Sequence, residues 1–366
     1  MTAMLLMPSD DASSESLQPQ LPFFGDQPEE RVRLDMADWL PAKPTVVFET
    51  FWRFATERQA VFFRRFRGLR PPWTDDPILR LHKFTNAYRA SDRASQYLIR
   101  SVIYEGDQSA SEVVFRTLLF KLFNRVETWE TLVAACGPPS WREFDLRRYE
   151  HTLSRAMEHG PIYSAAYLMP AGRGSTGRGS KHRFHLELLD RMMRDELPSR
   201  LHDAGSMRRA FELLRSYPGI GDFLAYQYVT DINYSDVVGF SEMSFTVPGP
   251  GARDGLRKCF ADLGGLSEPE MIRFVADRQD AAFGQMGLAF QDLWGRRLQL
   301  IDVQNLFCEV DKYARVAHPD ATGLSGRTRI KQRYYQNPCP IQYWYPPKWG
   351  LNAHIAADQG DSREAV

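Results

Sequence analysis

One stretch constrains the fold more than any other: Leu213-Leu-Arg-Ser-Tyr217-Pro-Gly219-Ile-Gly221-Asp-Phe-Leu-Ala225. An amphipathic helix ends, a Pro-Gly-Ile-Gly turn follows, and a second helix begins at once. The two glycines permit a tight turn with close backbone approach. The first N–H groups of the new helix have no intrahelical partner and carry partial positive charge. A phosphate fits at such an end without any basic side chain, although the same residues also make an ordinary glycine-capped corner. Helical periodicity recurs at Ser111–Asn124, Ser206–Ser216, Asp222–Val229, Asp277–Trp294 and Leu298–Tyr313. The best strand-like stretch is Thr45-Val-Val-Phe48, and it is short. The chain therefore reads as mainly α, with long Pro/Gly-rich loops at 170–180, 248–251 and 338–347.

The 366 residues are 43% hydrophobic. They suffice for one large helical domain, or two intimate lobes, over residues 31–352. Residues 1–30 and 353–366 are polar and read as flexible tails. Lys plus Arg equal Asp plus Glu at 46 each, so a coat of nonspecific nucleic-acid binding is disfavoured while a local basic cleft is allowed. Cys136, Cys259, Cys308 and Cys339 are scattered, which predicts no zinc site, no iron–sulfur cluster and no disulfide framework. No cofactor is expected. No apolar run approaches a transmembrane length, so a cytoplasmic protein with no membrane contact is expected.

Downstream of the turn, Glu242 lies twenty-three residues past Gly219. Hairpin and carboxylate together resemble the helix-hairpin-helix DNA glycosylases, in which a carboxylate at about that distance supports departure of a base. The resemblance implies Glu242 as the catalytic carboxylate, with Asp236 competing for the role, and Tyr217, Gly219 and Gly221 as a DNA-phosphate clamp. Those enzymes usually carry Asp where Glu242 stands. No lysine follows the turn, so no Schiff-base nucleophile is evident there.

Four longer blocks narrow the resemblance. They are Gly68-Leu-Arg-Pro-Pro-Trp-Thr-Asp75 with Leu81 to Arg93, Phe240 to Ala252 continuing to Phe260, Ile301 to Tyr313, and Tyr343 to Gly350. Together they resemble the alpha-glutamyl/putrescinyl thymine pyrophosphorylase family, also seen as the helical domain attached to 5-hydroxymethyldeoxyuridine DNA kinases. The resemblance spans roughly residues 45–352 and implies a branch of the glycosylase superfamily tied to phage DNA with hypermodified pyrimidines. The sequence has no Gly-x-x-x-x-Gly-Lys-Ser/Thr stretch, which speaks against a P-loop kinase. A kinase activity among relatives is expected to belong to a domain absent here.

Two stretches suit a nucleic acid. Pro170 to Leu186 holds Arg178, Lys181 and Arg183 and no acid. Ala321 to Ala357 is also free of acids and interleaves Arg327, Arg329, Lys331, Arg333 and Lys348 with Tyr343, Trp344 and Tyr345. Cations beside aromatic faces suit a flipped base or a single strand. Gln304, Asn305 and Glu309 form a candidate polar wall of the base pocket, with Glu309–Lys312 also readable as a surface pair. His82, Lys83, Asn86, Arg89 and Asp92 form a further polar set, in which Lys83 is a candidate nucleophile or phosphate contact. The leading expectation is a glycosylase that flips and excises a hypermodified pyrimidine, as in anti-phage defence. The alternatives are a transferase that installs an amine or amino acid on an activated thymine-derived base, and a non-catalytic DNA-binding module.

Overall fold

The computed structural model describes residues 34–164, 181–336 and 341–364. Fifteen α-helices occur among them, and the sheet among them is a single antiparallel pair, Lys43–Pro44 against Phe260–Asp262. The expected strand at Thr45–Phe48 is instead a helix start. Thr45 accepts a hydrogen bond from the Val47 N–H (3.2 Å) and caps the helix Val46–Phe66. Its own hydroxyl donates to the Lys258 carbonyl at 2.5 Å. The apolar run after it therefore becomes a helix face, because Phe48, Phe51, Trp52 and Ala55 recur at helical spacing and all are buried. Phe48 meets Trp39 edge-on with ring centroids 4.7 Å apart, and Trp52 meets Phe283 at 4.9 Å. Burial of such rings, at about 2–3 kcal/mol each, anchors this half of the molecule.

Among the described residues, the most extensive helix–helix contact joins Pro250–Cys259 to Leu300–Ala317. Glycine is required twice at this crossing, since a Cβ on Gly255 would run into the backbone carbonyl of Phe307, and one on Gly251 into the Cys308 sulfur. The predicted hairpin is present as Met207–Arg215, a turn, and Asp222–Ile232. Gly219 has φ +80°, a conformation that side chains with a Cβ resist. The helix expected over 277–294 divides instead. Glu268–Asp277 and Gln279–Gln285 are helical, and the chain then leaves helix through positive φ at Gly287, Trp294 and Gly295. Residues expected to form a C-terminal tail carry a helix, Asn352–Glu364. Asn352 exchanges two hydrogen bonds with the Tyr345 backbone, at 2.9 and 2.8 Å, and Ile355 is buried. No helix among the described residues is long and apolar enough to cross a membrane.

A buried charge cluster ties these layers together. Arg89 grips Asp231 with both guanidinium arms (2.7 and 3.0 Å), and Lys121 reaches the same carboxylate at 3.1 Å. Burial opposes ionisation of Asp231, but Arg89 and Lys121 outweigh it and hold the carboxyl below its usual range. Burial pushes Lys121 down to about 8. The Arg89 backbone N–H also donates to Asp302 (2.8 Å), at the start of the 300–317 helix. The loop 85–92 is thereby pinned from two sides, and that loop floors the site described next.

Candidate functional site

A cavity of about 630 Å³ opens between the 46–66 helix, the loop at 71–74 and two extended segments. The helix supplies Arg58, Val61 and Arg65, which three- and seven-residue spacing places on one face. Its opposite wall is made by backbone pairing. The Lys83 N–H donates to the Gln332 carbonyl at 3.1 Å and the Tyr334 N–H to the Leu81 carbonyl at 3.0 Å, so that His82 bridges Arg333. Trp73 forms a third side. Its indole N–H donates to the Leu69 carbonyl (2.6 Å), and Arg65 lies 5.1 Å above its ring.

The floor is polar and built in layers. Arg58 Nη2 donates to Asn86 Oδ1 at 2.7 Å, and the Asn86 side-chain amide donates to the Ser91 carbonyl at 2.7 Å. The Asn86 backbone N–H donates to Asp92 at 2.8 Å. Below it, Glu309 accepts from the Thr85 N–H (2.9 Å) and pairs with Lys312 (2.7 Å), while Asn305 donates to the Thr85 hydroxyl (3.0 Å). Burial pushes the Asp92 carboxyl up to about 7, although the Asn86 N–H and Arg58 favour its charge. Burial likewise pulls Arg58 down and holds the His82 imidazole below its usual value. Among the lining residues, Asp92 is the one acid, facing Arg58, Arg65, Arg80, Lys83, Arg93 and Arg333. Trp73, Phe84, Tyr334 and Tyr335 supply aromatic faces. Cations around flat rings, with one titratable carboxyl, can hold an anionic planar ligand and accept a proton from it.

The other expected residues lie in several places. Arg333 reaches the cavity, and Arg327, Arg329 and Lys331 are exposed on the chain leading to it. Tyr343 packs on Phe62, with centroids 5.0 Å apart, and Trp344 on Tyr104 at 4.9 Å. Tyr345 is fully buried, with its hydroxyl 2.7 Å from Ser91. Gln304 is buried in its helix. Glu242 and Asp236 do not line the cavity. Glu242 pairs with Arg296 at 2.6 Å, and that guanidinium stacks on Trp349 at 3.6 Å. Asp236 accepts from the Tyr104 hydroxyl at 3.3 Å. Lys348 donates to the carbonyls of Ser235 and Val238 (2.7 and 2.9 Å). Arg183 is held by Glu187 and Glu150, at 2.8 and 3.2 Å, and Lys181 sits 4.3 Å over the Tyr163 ring. Arg178 lies outside the described residues. At the hairpin, Tyr217 is buried, and Gly221 caps the second helix with open space where a Cβ would stand.

Sequence reasoning listed His82, Lys83, Asn86 and Asp92 as a polar set and Arg333 in a separate basic stretch, but missed Arg58. A signal existed: Arg58 follows Phe54 and precedes Phe62 at four-residue spacing, so it occupies an otherwise apolar helix face.

This arrangement defines a helical protein with a cationic, ring-lined cavity suited to an anionic base-like ligand. The chain belongs to the family of the 5-hmdU DNA kinase helical domain, whose family model matches residues 45–323. A curated relative, the 5-hmdU DNA kinase of Bacillus phage SP10, is 26% identical over 313 residues. That alignment covers 80% of this chain and 48% of the phage protein, so the chain spans about half the length of the relative. No solved structure matches. The membership overturns the expectation of a base-excising glycosylase, and with it the hydrolase and defence readings. The relatives are named for a kinase, which transfers a group and does not hydrolyse a glycosidic bond.

Proposed function

We propose that this chain transfers an amine or amino acid onto a thymine-derived DNA base whose 5-hydroxymethyl oxygen has been phosphorylated. The observation that carries the reading is the cavity, with six Arg and Lys side chains and four aromatic rings around the single carboxyl of Asp92. Aromatic faces suit an extruded pyrimidine. The cations suit the charge that a phosphoryl leaving group carries away. A carboxyl that titrates near neutrality can take the proton the attacking amine gives up. In that step the amine nitrogen bonds to the exocyclic methylene carbon and the methylene carbon–oxygen bond breaks. Phosphate leaves with the electron pair, and the amine proton passes to Asp92.

The family supports a modified pyrimidine in DNA as the substrate. The sequence has no Gly-x-x-x-x-Gly-Lys-Ser/Thr stretch, so this reading assigns the chain the step after phosphorylation. The hairpin at Gly219 and Gly221 is assigned to the DNA backbone, as in the helix-hairpin-helix glycosylases that the sequence resembles, here without base excision. Arg327, Arg329 and Lys331 continue the contact toward the cavity. The test is nucleoside mass spectrometry on DNA that carries 5-phosphomethyldeoxyuridine, incubated with the protein and putrescine or glutamate. A heavier nucleoside and released phosphate are expected. A nucleoside unchanged with every amine overturns the reading, and ATP-dependent phosphorylation of 5-hydroxymethyldeoxyuridine by this chain would return the kinase step to it.

A further inference from the structure

The cavity floor contains an arginine that the described residues satisfy only in part. Arg58 is 7% exposed, and its Nη1 is buried with no hydrogen-bond partner among the described residues. Its other arm is fixed by Asn86 at 2.7 Å, and Asn86 is fixed in turn by Ser91 and by the loop that Arg89 pins. The guanidinium is therefore oriented before any ligand arrives. On residues lining the same cavity, the Tyr334 hydroxyl is likewise buried without a partner among the described residues, and the His82 imidazole, with Nδ1 buried, hydrogen-bonds the Gln332 backbone. Buried donors without partners are costly, and an arginine next to other cations is the more so. Asp92 favours the Arg58 charge from nearby, but its hydrogen bond is to the Asn86 N–H and none joins it to Nη1.

We infer that the cavity floor is a subsite for a phosphate monoester, with Arg58 as its inner ligand and His82 and Tyr334 as flanking groups. The inference rests on the transferase reading above and names the part of the substrate that this floor selects. Phosphate can reach a basic site from three sources: the DNA backbone diester, a free ion, or a phosphoryl group on the base. The depth of Arg58 favours the third. A backbone diester runs along the surface with the strand, whereas a monoester on an extruded base projects inward, ahead of the ring. Its oxygens can accept from a planar guanidinium through two parallel hydrogen bonds. Asn86 acts here as a positioning residue.

The experiment is a binding titration at fixed salt and pH 8. Oligonucleotides carry one 5-phosphomethyldeoxyuridine, one 5-hydroxymethyldeoxyuridine, or thymidine alone, and inorganic phosphate is used as competitor. The parent protein is expected to bind the phosphomethyl DNA at least about ten-fold tighter than the hydroxymethyl DNA. Arg58→Gln should abolish that preference and leave affinity for the thymidine oligonucleotide within about two-fold. Asn86→Ala should weaken the preference in part, with the thymidine affinity again unchanged. No preference in the parent overturns the subsite, even if the variants fail to fold. So does a preference that survives in a well-folded Arg58→Gln protein, or millimolar inorganic phosphate that weakens binding of thymidine DNA as much as binding of phosphomethyl DNA. The two readings fail separately. A preference that depends on Arg58 without amine transfer sinks the transferase and leaves the subsite. Amine transfer with a preference indifferent to Arg58 does the reverse.

Discussion

Asp92 is held between opposing forces. Burial raises its proton affinity, while the Asn86 N–H and Arg58 lower it, and burial prevails. The folded protein therefore binds this proton more tightly than the unfolded chain, whose carboxyl titrates near 3.9. Stability from this residue is complete below about pH 4 and is lost as pH rises through about 7. Asp92→Asn should then be more stable than the parent at pH 8, on the order of 4 kcal/mol, with the gap closing at pH 4. Urea denaturation at the two pH values measures this, and an equal difference at both would contradict it. The same variant should lose the rise in transfer rate expected between pH 6 and 8. Glu242 calls for a different prediction. Its carboxylate neutralises Arg296, which is itself stacked on Trp349. Glu242→Gln should cost about 2 kcal/mol of stability, the scale of one lost charged hydrogen bond. Amine transfer by the protein that stays folded should be unchanged. A large rate loss in that variant, with stability intact, would show that Glu242 takes part in the chemistry.

At the scale of elements, the crossing of Pro250–Cys259 over Leu300–Ala317 has no slack. Gly255→Ala would push a methyl group into the Phe307 carbonyl and should destabilise by about 3 kcal/mol, since overpacked cores relax poorly. A melting temperature unchanged from the parent would mean that the helices can separate there. Several helices were legible in the sequence, because the apolar period of a segment such as Met207–Arg215 is a local property, whereas Ala110–Phe123 proved buried on every side, its Glu112, Arg116 and Lys121 included. Boundaries set by a cap were less so: Thr45 turned a strand-like run into a helix with one hydroxyl. Partners across long separations left no trace in the sequence. Arg89 and Asp231 lie 142 residues apart, and neither residue's neighbours announce the pair. The cavity was half visible, as two sets of polar and aromatic residues whose union depends on backbone hydrogen bonds, which carry no side-chain signature.

Over the whole molecule, the hairpin and the basic approach to the cavity should act on DNA in separable ways. Gly219→Val places a β-branched residue at φ +80° and should weaken binding to modified and plain DNA alike. Selective loss on modified DNA would remove the hairpin from the backbone contact. Arg333→Ala should flatten the dependence of log affinity on log salt by about one unit, as expected for one lost phosphate contact. An unaltered slope would take Arg333 out of that contact. The pairing of 81–83 with 332–334 has a consequence of its own. The family model matches residues 45–323, so one face of the cavity is formed by residues past the matched span, laid alongside an extended segment within it. Backbone hydrogen bonds hold that stretch whatever side chains it presents. Under the proposed function, Arg333, Tyr334 and Tyr335 stand on a wall whose backbone pairing does not depend on their side chains, so substituting them should change which modified base is preferred while the pairing and the Arg58 floor stay in place.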